Sequence, residues 1–599
     1  MNPEETKRLI LAFAIMIVVL ALWRPIVSRY FKEPEPESTP AASSSGTGQN
    51  SANQPAGAGS APSTSSAQSK PAPALPAQPV EGKQAEDIVV ENDLYKITFS
   101  TQGAVIKSWI LKKYRDADEK PLDLVNQPAG SQLGLPMAIT LPDTVLASKL
   151  NGALYVAGPS GGAPPNHESI HAPAKLRLTY SDGQTEIDKV FTFPSSDTYQ
   201  VDVEVSARNA ENYLPVGVLW PGGFGDSSSS LAMAQREAVY AANGDVTKVK
   251  ESKLKATESV PGPISYAGLE DLYFVNIFLP GSPDALFRIS RHSWNPPNST
   301  AKTPPAPLQA ELAMPSGQPL EFGLFVAPKD LDLLKSMNPP LDNLVEFGFF
   351  GVVAKPLFIG LRYIYDHWVH NYGWAIIVLT VVINFLLFPL KLKSIHSAQK
   401  MQKVAPIVKR IQDQYKQYKI NDPRKQKMNQ EIMKVYSEHG INPLGGCLPM
   451  ALQMPFLYAF WEVLGTVIEL RHAPWIGCVK DLSVADACHP FGLPFALMPT
   501  LLIISMFVMQ KMTPMATADP NQQRMMYIMP LMFGVIFYRL ASGVVLYYMA
   551  ANVVGIVQQL IINRFIPITT PATAAPPDAK GPAKGSGKAA SRKPAVVKN

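Results

Sequence analysis

The chain has 599 residues, a formal net charge of +6 and a mean hydropathy of +0.02. This length is too great for one compact domain, and the near-zero hydropathy averages very apolar blocks with long polar tracts. A single soluble globular domain is therefore excluded. Six apolar blocks are candidate membrane spans, the first and fifth of them short: residues 9–23, 372–390, 448–468, 491–509, 525–538 and 543–562.

Residues 1–30 are predicted to form an N-terminal transmembrane anchor. Lys7 and Arg8 precede its apolar block, as in a signal peptide, but no small-x-small cleavage site follows. We therefore expect an uncleaved anchor. Residues 31–84 are dominated by Ala, Ser, Pro, Gly and Gln, which cannot bury enough apolar surface to fold, so they are predicted to be a disordered linker outside the membrane.

Residues 85–335 contain short runs in which apolar and polar residues alternate, such as KITFS and YQVDVEVSA. This alternation, interrupted by Gly, Pro and Asn, is typical of an antiparallel all-β sandwich. The region has no metal-ligand spacing, nucleophile motif or paired acids. We expect no catalytic residue, no metal and no cofactor in this chain.

Residues 345–370 are apolar but carry Lys355, Pro356, Arg362 and Asp366, a mixture that favours an amphipathic helix lying in the membrane interface. The core, residues 371–566, follows. On its first span Thr380 and Asn384 lie four residues apart and share one helix face. A polar face at membrane depth must face protein or water, so it either hydrogen-bonds to a neighbouring helix or lines a hydrated space.

Residues 391–442 form a strongly basic loop, with twelve Lys or Arg against four acidic residues. The positive-inside rule places this loop in the cytoplasm, and six spans then put both termini inside and the sandwich outside. The 3/4 apolar spacing in both arms predicts a helical hairpin that turns near residues 420–423. The tail, residues 567–599, has six basic residues against Asp578 and is predicted to be disordered, either solvated or in contact with anionic lipid or RNA.

Several motifs occur in a specific order: INPLGGCLPMALQMPFLYAFWEVL, IELRHAPWI, FVMQKMTP, DPNQQRMMYIMP and SGVVLYYMAANVVGIVQQ. Together they closely resemble the YidC/Oxa1/Alb3 membrane protein insertases over residues 349–565, and the preceding regions resemble the Gram-negative YidC form. The resemblance implies five conserved transmembrane helices plus the anchor, with a periplasmic sandwich, in the bacterial inner membrane. It also implies insertion and folding of nascent membrane proteins through a hydrophilic groove, alone or with the Sec translocon.

Four residues are candidates for lining this groove: Thr380, Asn384, Gln453 and Tyr548. Thr380 and Tyr548 fall where the family pattern places substrate contacts. Asn384 departs from the family, which usually carries Arg or Lys at this position, and Arg539 is too near the outer end of its span to replace that charge. The sequence therefore predicts a groove hydrated by neutral side chains, with membrane lipids and the ribosome as further partners of the basic regions.

Cys478 and Cys488 both fall in the external hairpin between the third and fourth spans, where an oxidising compartment would permit a disulfide. Two alternatives to the insertase remain open. A secondary transporter or channel would require a repeat or buried ion-binding carboxylates, which the uncharged middles of the spans disfavour. An envelope enzyme with a carbohydrate-processing sandwich would require a cleft with two carboxylates.

Overall fold

The structure is a computed structural model that describes residues 79–158, 169–209, 212–228, 235–292, 294, 307–418, 422–441, 448–489, 492, 495–512 and 520–565. The predicted anchor, most of the linker and the basic tail lie outside the described residues. The chain divides into two compact units. Described residues of Ser28–Phe358 and Ala459–Ala473 form one unit, and described residues of Ile359–Tyr458 and Pro474–Asn599 belong to the other.

The first unit is built from β-strands. In chain order the described strands are β1 (Asp87–Glu91), β2 (Tyr95–Ser100), β3 (Val105–Arg115), β4 (Pro121–Asp123), β5 (Ala138–Thr140), β6 (Val156–Ala157), β7 (Ile170–His171), β8 (Ala174–Ser181), β9 (Thr185–Phe193), β10 (Gln200–Asn209), β11 (Asn212–Tyr213), β12 (Val216–Trp220), β13 (Glu237–Ala242), β14 (Asp245–Lys250), β15 (Glu258–Pro261), β16 (Ile264–Glu270), β17 (Phe274–Pro280), β18 (Leu286–Arg291), β19 (Leu308–Met314) and β20 (Leu320–Pro328). Short helices α1 (Gln127–Leu133), α2 (Thr144–Gly152) and α3 (Leu331–Ser336) and a 3-10 turn (Asp342–Leu344) connect or follow them.

These strands form three sheets in the orders β4-β3-β2-β1-β7, β14-β13-β16-β17-β20-β10-β9-β8-β6 with β11 beside β10, and β15-β18-β19-β12-β5. Neighbouring strands are antiparallel except for the short β1–β7 pair. In β10, Val201, Val203 and Val205 are buried while Asp202 and Glu204 are exposed, which is the two-residue period of a half-buried strand. The prediction of an antiparallel β-sandwich is confirmed.

The sandwich core contains a buried lysine on β9. The Lys189 ammonium donates to the backbone carbonyls of Gly103 (2.8 Å), Ala104 (3.0 Å) and Met137 (2.8 Å), and the side chain is fully buried. Burial lowers the pKa of Lys189 to about 7. Because its three bonds tie β9 to the turns before β3 and β5, we interpret Lys189 as a structural residue.

The second half of the described chain is helical. In order it contains α4 (Gly351–Ile364) with a π-helical extension (Tyr365–Val369), α5 (Tyr372–Leu386), α6 (Phe388–Gln414), α7 (Pro423–Glu438), α8 (Leu448–Thr466) with a 3-10 turn (Ile468–Leu470), α9 (Leu497–Met512), α10 (Pro520–Phe537) and α11 (Ser542–Phe565). The helices α6 and α7 pair as a hairpin, in which the Tyr415 hydroxyl donates to Glu431 Oε1 at 2.9 Å.

Two helix boundaries differ from the predicted spans. The span predicted at 372–390 is divided after Leu386, because Pro389 at the start of α6 has no N–H to donate. The fourth span was predicted to begin at residue 491, which is wrong: α9 begins at Leu497. The carboxylate of Asp486 accepts the N–H of Met498 at 2.8 Å and so caps the helix there.

By length and composition alone, one helix among the described residues could cross a membrane by itself, namely α11. A second crossing could be formed by the bent pair of Gly351–Val369 and α5, which meet at 116°. The helices α9 and the Tyr527–Phe537 part of α10 are apolar but shorter. The sharp bend separates the helix of Gly351–Val369 from α5.

Candidate functional site

The predicted polar face of α5 is buried inside the helical unit. Thr380 has 0% and Asn384 has 7% of its surface exposed. The Thr380 hydroxyl donates to the carbonyl of Ile376 at 2.6 Å, and the Asn384 amide donates to the carbonyl of Thr380 at 2.9 Å. Each side chain thus donates one hydrogen bond to its own helix, and both are buried within the unit.

A glutamine on α11 joins this face to a lysine. Gln558 donates its amide N–H to the backbone carbonyl oxygen of Asn384 at 3.2 Å, and its Oε1 accepts a hydrogen bond from Lys391 Nζ at 2.9 Å. Gln558 is 8% exposed and Lys391 is half-buried. We call Thr380, Asn384, Lys391 and Gln558 the amide cluster.

Sequence reasoning missed Gln558 and assigned Lys391 only to the basic loop. A signal for Lys391 was present, because it lies seven residues after Asn384, which is two helical turns. Helical hydrogen bonds continue across the junction of α5 and α6, from Leu387 N to the carbonyl of Ile383 (2.9 Å) and from Lys391 N to that of Leu387 (3.1 Å). Lys391 therefore stays on nearly the same face as Asn384.

The other two predicted groove residues lie in a second group. Gln453 on α8 shares a side-chain hydrogen bond with Tyr547, and the Tyr548 ring packs against Phe537, with centroids 4.6 Å apart. Tyr547 is 2% exposed, whereas Gln453 and Tyr548 are partly exposed. We call Gln453, Phe537, Tyr547 and Tyr548 the tyrosine cluster. Tyr547 was missed in the sequence because it stands beside the predicted Tyr548.

The helix α11 connects the two clusters. Tyr547 and Gln558 are eleven residues apart, which brings them to nearly the same face with a separation of about 16 Å along the axis. Between them Asn552 on α11 donates to the hydroxyl of Ser505 on α9 at 3.2 Å. One apolar helix therefore carries polar side chains that meet partners from α5, α6, α8 and α9.

A loop covers the N-terminal end of α11. The N–H and hydroxyl of Ser542 both donate to the carbonyl of Val484, at 2.7 and 2.8 Å, and Gly543 N donates to that of Leu482 at 2.8 Å. The same loop contains Cys478 and Cys488, which the structure joins as a disulfide with Cα atoms 5.4 Å apart. This end of the helix has its first backbone donors satisfied by protein.

The sandwich unit has its own buried ion pair, centred on Arg471 in the IELRHAP motif. One guanidinium nitrogen of Arg471 lies 2.6 Å from Asp226 Oδ2 and 2.7 Å from the carbonyl of Arg115. The side chains of Arg471 and Asp226 are 5% and 1% exposed. The guanidinium also lies over the rings of Tyr273 and Phe274. We call this group the Arg471 anchor.

No group of three or more His, Cys, Asp or Glu side chains within the described ranges is arranged to hold a metal ion. The polar groups of the amide and tyrosine clusters are amides, hydroxyls and one ammonium, that of Lys391. Such groups can hydrate or hydrogen-bond a polypeptide, and the ammonium can pair with an anion.

Comparison with known proteins covers both units. The family model described as 60Kd inner membrane protein matches residues 364–569, and the model described as YidC periplasmic domain matches residues 87–359. The two matches follow the division between the helical part and the sandwich.

Full-length relatives are also similar. A protein named membrane protein insertase YidC from Pelobacter propionicus is 32% identical over 574 residues, covering 94% of this chain and 99% of that protein. Proteins of the same name from Syntrophus aciditrophicus (31%, covering 82% and 87%) and Citrifermentans bemidjiense (33%, covering 80% and 86%) are comparably similar. A crystal structure of an active YidC insertase is 18% identical with a TM-score of 0.32, covering 82% of this chain and 94% of that one.

Proposed function

Because this chain belongs to the YidC family of membrane protein insertases, we propose that its amide and tyrosine clusters form the surface along which client polypeptides enter the membrane. Its function is membrane protein insertion. The observation that carries the proposal is that one apolar helix, α11, contributes Tyr547 to the tyrosine cluster and Gln558 to the amide cluster on nearly the same face.

The physical basis is a reduced cost of moving polar peptide into the bilayer. A client's polar tail loses hydration in hydrocarbon unless other polar groups replace the water. The side-chain amides of Asn384, Gln453 and Gln558 supply such groups. The client's apolar segment then partitions into lipid spontaneously, gaining roughly 0.3–0.6 kcal/mol per Leu, Ile, Phe or Val near the bilayer centre.

The proposed topology has the N-terminal anchor and five core spans, provided by α5, α8, α9, α10 and α11. Both termini and the α6–α7 hairpin lie in the cytoplasm, and the sandwich lies in the periplasm. The twelve basic residues of 391–442 support this orientation. The chain is then a multi-pass protein of the bacterial inner membrane, in which α4 lies at the outer interface.

Nascent membrane proteins are the proposed clients, with the Sec translocon as a cooperating partner. The basic hairpin and tail are proposed to contact the ribosome and anionic lipid, since both present phosphates to Lys and Arg side chains. The bridge between Cys478 and Cys488 is proposed to form in the periplasm and to stabilise the loop over α11.

We propose no enzymatic activity and no cofactor. A transporter or channel would couple to an ion or solute gradient, and an envelope enzyme would turn over a glycan with the sandwich alone. Both alternatives predict activity without a client polypeptide, so solute uptake and glycan hydrolysis by the purified chain distinguish them from the insertase.

The proposed function is tested by reconstituting the full chain into vesicles with a single-span client that has a short polar tail. Insertion is read as protection of the tail from added protease. We expect protection above that of empty vesicles, and a reduced yield with Gln453→Leu, which removes a polar group from the tyrosine cluster. Val553→Ala, an exposed position on α11, is the matched control. Equal protection in empty vesicles would overturn the proposal.

A further inference from the structure

The amide cluster contains a positive charge on Lys391, although Asn384, where the family usually carries Arg or Lys, is neutral. Lys391 extends its ammonium to Gln558 Oε1 at 2.9 Å. It forms no ion pair with any carboxylate in the part of the chain that the structure describes. A lysine that is half-buried among apolar helices without an acidic partner is costly to maintain, and such residues are usually retained for function.

The fold makes room for this ammonium. Gly555 lies one turn before Gln558 on α11, and a methyl group placed on Gly555 would come within 3.3 Å of Lys391 Nζ and 3.1 Å of Met509 Cε. A side chain at this position would therefore require the ammonium and the Met509 methyl group to move by a few tenths of an ångström. Gly555 leaves space for the Lys391 ammonium between α6 and α11, and the hydrogen bond to Gln558 positions the ammonium there.

Among the residues that the structure describes, the hydrogen-bond acceptor for the Lys391 ammonium is the neutral Oε1 of Gln558. An ammonium has three donors, and a carboxylate is a stronger acceptor than an amide because the hydrogen bond is charge-assisted. An incoming carboxylate can therefore replace or join Gln558 without breaking an existing ion pair. Under the proposed function, the carboxylate that reaches this site belongs to an Asp or Glu in the polar tail of a client.

We infer that Lys391 is the client-binding cation of this chain and that it favours clients with acidic residues in the polar segment. This inference rests on the proposed function and specifies which clients that function prefers. It amends the prediction of a purely neutral groove: Asn384 leaves its own position uncharged, and the charge lies two turns further along the same face.

The experiment compares two versions of one client, with two Glu or two Gln in the polar tail, in vesicles containing the full chain. We expect Lys391→Gln to lower insertion of the Glu client about tenfold more than insertion of the Gln client, since one charge-assisted hydrogen bond is lost with the Glu client alone. Lys391→Arg keeps the preference. Lys403→Gln, an exposed lysine on the same helix, is the matched control and changes neither client.

Each result has a defined meaning. If Lys391→Gln lowers both clients equally, the lysine only holds the helices together and the inference is overturned. If the loss occurs only in vesicles with anionic lipid, whatever the tail, the ammonium binds a lipid phosphate instead, which also overturns it. Failure of the wild-type chain to insert the Gln client above empty vesicles contradicts the proposed function itself, and is thereby distinguishable.

Discussion

Removing the guanidinium of Arg471 should destabilise the sandwich unit strongly. In Arg471→Met the carboxylate of Asp226, whose side chain is 1% exposed, loses its ion partner 2.6 Å away and remains buried. Breaking a buried pair from one side costs about 3–5 kcal/mol, because the remaining charge is neither hydrated nor paired. The carbonyl of Arg115 loses a donor as well.

The double variant Arg471→Met/Asp226→Asn should lose much less than the sum of the two single variants, because it leaves no unpaired charge. The free energy of unfolding is measured on the full chain by denaturant titration. Amide hydrogen exchange of peptides from β17 and from residues 468–473 reports whether the loss is local to the anchor. Both measurements should show Arg471→Met as more destabilised than the double variant.

A matched control is available in the same unit. Arg288 pairs with Glu311 at 3.2 Å, but the Arg288 side chain is 42% exposed. Arg288→Met should therefore cost less than about 1 kcal/mol. Equal losses for Arg471→Met and Arg288→Met, or additive effects in the double variant, would refute the reasoning that burial makes the Arg471 anchor strong.

Three further predictions concern other parts of the chain. Raising the pH from about 7 to about 9 should increase the free energy of unfolding of the sandwich by up to about 2 kcal/mol, because over this range Lys189 binds more protons in the unfolded state than in the folded state. Asn384→Leu should insert clients with polar tails about three- to tenfold more slowly than Asn384→Arg, because leucine offers no hydrogen bond. Cys478→Ser should destabilise the loop before α9 by about 3 kcal/mol, the chain-entropy value for a loop of this length. Denaturation at each pH, the protease-protection assay and hydrogen exchange of residues 479–489 measure these effects.

Their controls follow the same logic. Lys189→Met should abolish most of the pH dependence and the exposed Lys175→Met should not. Equal insertion by Asn384→Leu and Asn384→Arg would refute the hydration role of that position. Unchanged exchange in Cys478→Ser, with mass spectrometry showing free thiols in the wild type, would contradict the proposed bridge.

Local pattern predicted the strands well because each strand's alternation is set by its own sequence. In β10 the burial of every second valine follows directly from residues 200–205. Helix boundaries were less accessible, since α9 begins where Asp486, eleven residues earlier than the helix start, supplies its cap. The few residues on either side of Leu497 do not include Asp486, so local sequence does not locate the start of this helix.

The site residues also fall into those that local spacing predicts and those that it does not. Thr380 and Asn384 could be paired from spacing alone, and the structure keeps them on one face. The bond from Lys391 to Gln558 joins residues 167 positions apart, and that from Arg471 to Asp226 joins residues 245 positions apart. Partners at such distances are fixed by tertiary packing, so a single sequence does not identify them.

The central claim is that clients pass along the polar surface of α11 and its neighbours. It is tested most directly by placing a photocrosslinking amino acid at Thr380, Gln453 or Tyr548 in the full chain and irradiating it with a stalled nascent membrane protein. Val553 and Leu560, exposed on α11, are the comparison sites. Adducts at the three polar positions that exceed those at the comparison sites are predicted; adducts confined to Val553 and Leu560 would contradict the account.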